Sequence, residues 1–73
     1  MPESVDLRAL RPPGPMLRIL EALDAEPPGP LVFLMPMEPW PLYPLLAARR
    51  WRHRLDPLDD GWALTLFRDP PLP

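Results

Sequence analysis

The chain has 73 residues and no cysteine, which removes disulfides, thiolate nucleophiles, persulfide chemistry and cysteine-ligated metals together. Histidine occurs once, too few for an ordinary zinc site. Lysine is missing as well: all eight basic residues are arginine, which reads as GC-rich codon usage and carries no functional content. The longest apolar run, Leu31 to Pro36 with Met37 after it, falls far short of the roughly 20 residues that span a bilayer. The opening MPESVDLR has neither a basic n-region nor an apolar h-region, so no secretory signal is expected and the cytoplasm is the expected compartment. A net charge of −2 supplies no general attraction to nucleic acid or an anionic membrane.

What is plentiful is proline. A chain of this length has room for one domain, expected here over 1–73, and buries only about 60% of the surface its unfolded form exposes. Its 15 prolines offset that weakness, because proline at a compatible site lowers unfolded-chain entropy by roughly 0.4–1 kcal/mol. Prolines and glycines together make up about a quarter of the residues, near the level that signals disorder. Yet 47% of the chain is apolar and falls in periodic blocks, so the prolines read as rigid loops between packed elements.

Val5-Asp6-Leu7 alternates as a short first strand does. After Arg11-Pro-Pro-Gly-Pro15 the period changes: Met16, Ile19, Leu20 and Leu23 recur at i, i+3, i+4 and i+7, with Arg18, Glu21 and Asp24 opposite. That spacing predicts an amphipathic helix, with Gly14 as its N-cap and Pro15 at N1, where no N–H is needed. Pro27-Pro28-Gly29-Pro30 stops it. Leu31 to Met35 is a continuous apolar run suited to a covered parallel strand. A second helix is predicted from Pro41, which puts both Pro41 and Pro44 in its first turn, carries Leu42, Leu45 and Leu46 on one face and ends on Arg49 and Arg50. Two strands follow, Trp51 to Leu55 and Trp62 to Arg68, around the turn Asp59-Asp60-Gly61. Trp51, His53 and Leu55 then share one face and Arg52 and Arg54 the other. Residues 1–4 and 69–73 are expected to fray.

The order β-α-β-α-β-β predicts an α/β (α+β) two-layer sandwich, a mixed four-stranded sheet with two helices on one face. The free sheet face, with Arg52, Arg54, Thr65 and Phe67, leaves both a monomer and a homodimer open.

The element order and the first loop resemble the TusA/SirA-like family of small sulfur-carrier proteins. Its first helix is entered through D-x-R-G-L-x-C-P-x-P, and the cysteine carries a persulfide between partner proteins. Here Asp6, Arg8, Leu10, Pro13 and Pro15 match, while Ala9 stands for the glycine and Pro12 for the cysteine. With no other thiol in the chain, sulfur transfer is excluded. The resemblance is closest to the cysteine-less, uncharacterised branch, in which a P-P-x-P loop and a later P-L-Y-P segment also occur; Pro41-Leu42-Tyr43-Pro44 fits the latter. The branch resembles, by analogy, accessory domains of bacterial redox and nitrogen-oxide metabolism; the preserved helix-entry loop without its reactive residue points to docking, and no nucleophile or partner carboxylate stands at a spacing that supports catalysis.

In such an arrangement both βα loops leave the carboxyl ends of parallel strands and should meet on the edge that open α/β sheets use for binding. The first loop offers Arg11 with Pro12, Pro13 and Gly14 as partner-binding candidates; the second offers Met37, Glu38 and Trp40. Trp40, bulky and flanked by prolines, either projects as an interface anchor or folds back as a lid over the core. A protein partner is the expectation, with no catalytic residue, metal or cofactor. Two alternatives are carried. One is a small ligand at this edge, an anion at the helix N-termini or Cu(I) held by Met16, Met35, Met37 and His53, against the commoner use of methionine as a gap filler. The other is RNA binding through Arg49-Arg50-Trp51-Arg52-His53-Arg54, against a strand alternation that splits those arginines from the tryptophan.

Overall fold

A computed structural model describes residues 4–68; the expected fraying of 1–3 and 69–73 lies outside the described residues. Within them the elements are β1 (Ser4–Asp6), α1 (Gly14–Asp24), β2 (Leu31–Met35), a 3-10 turn (Trp40–Leu42), α2 (Tyr43–Ala48), β3 (Trp51–Leu58) and β4 (Gly61–Arg68). The sheet order is β1-β2-β4-β3, with β1 parallel to β2 and β4 antiparallel to both β2 and β3. The chain thus makes two parallel crossovers that step across the sheet in the same direction. Right-handed connections then place both helices on one face, and the fold is the two-layer α+β sandwich expected.

The register sorts the side chains. Leu31, Phe33 and Met35 lie opposite Leu66, Leu64 and Trp62, and these in turn lie opposite His53, Leu55 and Pro57. This is the helix-bearing face. Ile19 and Leu23 from α1, Leu42 and Leu46 from the second helical segment, and Phe33, Leu64 and Leu66 from the sheet form the core. Ile19, Leu42, Leu46, Leu64 and Leu66 are all less than 2% exposed, and burying such a side chain is worth roughly 1.5–3 kcal/mol. The core of the described residues holds no buried polar group.

Several boundaries differ from those the sequence suggests. Ser4, counted with the frayed end, pairs with Val32, and the strand stops at Asp6. Pro13, rather than Gly14, is the N-cap of α1, so Gly14 becomes N1 and Pro15 N2. The second helix is split: Pro41 sits in a 3-10 turn and Pro44 in the first turn of α2, each where a missing N–H costs little. Arg49 and Arg50 lie beyond α2 rather than inside it, Arg50 with φ 63°, although Arg49 Nη1 still donates to the Leu45 carbonyl at 3.4 Å. β3 continues past Leu55 through Pro57, tolerated because β3 is an edge strand with one unpaired side.

At the end of the sheet where the helices finish, Arg68 donates twice to the Pro27 carbonyl, at 2.8 and 3.1 Å, and its guanidinium lies 4.8 Å from the centre of the Trp51 ring. Gly29, at φ +73°, passes under that ring; a Cβ there would meet it at 3.1 Å.

Candidate functional site

At the opposite end, the carboxyl ends of β1 and β2 and the β3–β4 turn come together. The guanidinium of Arg8 fixes them: Nε and Nη2 donate to the two carboxylate oxygens of Asp6 at 2.9 and 2.8 Å, and Nη1 donates to Asp60 at 2.6 Å. The backbone N–H of Arg8 adds a third bond to Asp6. These donors hold the Asp6 carboxyl down at about 2 and raise the Arg8 guanidinium. Asp6 and Arg8, matched above to the carrier-protein motif, here brace the first loop against the hairpin.

Between the two βα loops lies a cleft of about 170 Å³. Its walls come from Pro12, Pro13 and Pro15 on one side and from Met37, Pro39 and Pro41 on the other, with Met16, Met35 and Glu38 completing it. The proline rings that line it present carbon surface without an N–H. Four of the seven candidates therefore meet in one place: Pro12, Pro13, Met37 and Glu38.

The other three stand around it. Arg11 is exposed outside the wall, and its carbonyl accepts the Gly14 N–H at 2.7 Å. Gly14 opens α1 beside Leu10, where an added Cβ would make an ordinary 3.4 Å contact. That bond has a further consequence: with Gly14 N–H engaged and Pro15 lacking one, the leading turn of α1 offers little to an anion. Trp40 is 67% exposed, so it projects and does not cover the core.

Tyr43, which the residue order did not mark as part of the site, holds Trp40, and His53 backs Tyr43 in turn. Tyr43 meets the indole edge-on, centroids 5.6 Å apart at 77°, and His53 stacks parallel to Tyr43 at 4.1 Å. The Tyr43 hydroxyl donates to Glu38 Oε2 at 3.2 Å. Partial burial, then that bond and the nearby negative charge, push the phenol up to about 12. The signal was present in the spacing, because side chains three apart eclipse in a 3-10 turn; the His53 contact has no signal in sequence order.

The soft-metal set divides. Met16, Met35 and Met37 share the cleft, whereas His53 is spent on Tyr43. The arginine run disperses too: Arg49 lines a separate hollow of about 230 Å³ with Asp24, Glu26 and Arg68, Arg54 pairs with Asp56 at 3.0 Å, and Arg52 lies over Phe67 on the helix-free face. No helix among the described residues is long and apolar enough to cross a membrane.

No family model matches the chain, and no curated protein or solved structure is found similar to it.

Proposed function

We propose that this protein is a non-enzymatic docking module: a TusA-like scaffold of the bacterial cytoplasm without the persulfide cysteine, which binds a protein partner through its two βα loops. The observation that carries this reading is Trp40, 67% exposed yet held by Tyr43 beside a cleft of proline and methionine. An aromatic already fixed in place loses little freedom on binding, and such residues supply most of the energy of many interfaces. Met37, 58% exposed, extends the apolar surface, and Arg11 gives it a charged rim. Pro12 occupies the motif position of the lost cysteine and lines the same cleft, so the surface that would present a thiol in a carrier presents carbon here.

The test is capture of a partner by the native protein beside Trp40→Ala and Arg11→Glu, with affinity then measured for the purified pair. Both side chains lie outside the core, so both variants keep the fold. Loss of on the order of tenfold or more in affinity for Trp40→Ala is expected of an interface anchor. Unchanged affinity for both variants would remove this surface as the binding site.

A further inference from the structure

We infer that the cleft is also a binding site for a soft monovalent cation, Cu(I) by its donor chemistry, held by the thioethers of Met16, Met35 and Met37. The inference is independent of docking. It starts from a convergence: three methionines drawn from the first turn of α1, the end of β2 and the following loop line one cleft of about 170 Å³. They make up all of the chain's methionines other than Met1.

Gap filling accounts for two of them. Met35 is 2% exposed and packs in the core, as methionine commonly does, and Met16 also packs partly buried against the core. Gap filling does not account for Met37, which is 58% exposed and has no gap to fill. The three sulfur-bearing side chains thus run from the floor of the cleft to its rim.

Thioether sulfur is a neutral, polarisable donor that selects Cu(I) over harder ions. The described residues form no cluster of histidine, aspartate and glutamate suited to a metal, so the cleft does not compete for zinc or calcium. Glu38 belongs to the same wall, and its carboxylate, which accepts the Tyr43 hydroxyl at Oε2, leaves a negative charge beside the cleft and not within it. The positive end of α1 is muted there, since Gly14 N–H is bonded to Arg11 and Pro15 has none. Proline neighbours on either side, Pro15 before Met16 and Pro36 between Met35 and Met37, limit the backbone freedom that binding would have to remove.

The experiment titrates the full chain, labelled at the methionine methyl groups, with Ag(I) as a redox-inert stand-in and then with Cu(I) under anaerobic conditions. The expected result is a saturable one-to-one event in which the methyl signals of Met16, Met35 and Met37 shift together. Met37→Leu, a change at an exposed site that leaves the thermal midpoint in place, should weaken binding by on the order of tenfold or more, at least what loss of a supporting contact costs a metal site. A response confined to Met37, no saturable binding, or equal affinity in Met37→Leu would overturn the inference. Trp40→Ala, which removes the docking anchor and no thioether, should bind the cation as the native protein does, which separates failure of the cation site from failure of the docking reading.

Discussion

The phenol ring of Tyr43 lies parallel to the imidazole of His53, with ring centroids 4.1 Å apart and planes inclined by 7°. The contact joins α2 to an edge strand, and Trp40 leans edge-on against the same phenol. An exposed aromatic is thereby tied to the sheet through one intermediary.

Tyr43 is the chain's sole tyrosine, so phenolate absorbance reports on it alone. Its midpoint should lie near 12, above the ordinary 10. The sign follows from the direction: the fold favours the neutral phenol, so the contribution to stability is complete below 10 and is lost as pH rises through about 12. In Glu38→Gln the midpoint should fall part of the way toward 10, because burial, the largest cause, remains. A native midpoint at the ordinary value would dissolve the bracing of Trp40 described above.

Arg8 makes the corresponding prediction in acid. The Asp6 carboxyl is held at about 2 against an ordinary 3.8, first by the side-chain hydrogen bond from Arg8 and then by its backbone N–H. Its contribution is present above 3.8 and disappears as pH falls through about 2. Arg8→Met should flatten that part of the stability curve, and added salt should do the same to a lesser degree because the groups are exposed. Parallel acid limbs in native protein and variant, measured by urea unfolding, would show that Asp6 is not held this way.

Two glycines should respond in opposite directions to the same substitution. Gly61 has φ +151°, and a Cβ there would collide with the Met35 carbonyl oxygen. Gly61→Ala should therefore cost more than about 1 kcal/mol, and it should disturb the loop that carries Met37. Gly14 sits at N1 of α1 with room for a methyl, and Gly14→Ala should stabilise by about 0.4–1 kcal/mol. Thermal unfolding of the two variants side by side checks both, and a Gly61→Ala protein as stable as the native one would contradict the close approach.

Much of this fold is legible in residue order. The run from Leu31 to Met35 forms β2 with those same ends, since proline on one side and a proline-rich loop on the other leave no room for it to extend. The i, i+3, i+4, i+7 stripe buries Ile19 and Leu23 against the sheet. Boundaries are less legible where proline is dense, because several neighbouring positions satisfy its demands. Pro41 and Pro44 need only lie in a first turn, and a 3-10 turn followed by α2 satisfies them as well as one longer helix would. Pro57 argues against a strand until β3 is known to lie at the sheet edge.

At the site, the sequence by itself determined the parts: stiff loops, no thiol, an aromatic between prolines, and methionines on both sides of the first crossover. Element order predicts parallel strands, whose carboxyl ends put both loops at one edge, and right-handed crossovers that put both helices on one face; the strand order itself is a property of the fold. Only the tertiary structure decided which side chains face each other across that edge. Trp40 points outward and Met35 inward, Tyr43 reaches His53, and Arg8 reaches Asp60 across 52 positions of chain. Such pairings depend on distances set by packing and strand register, and a linear sequence contains no measure of them.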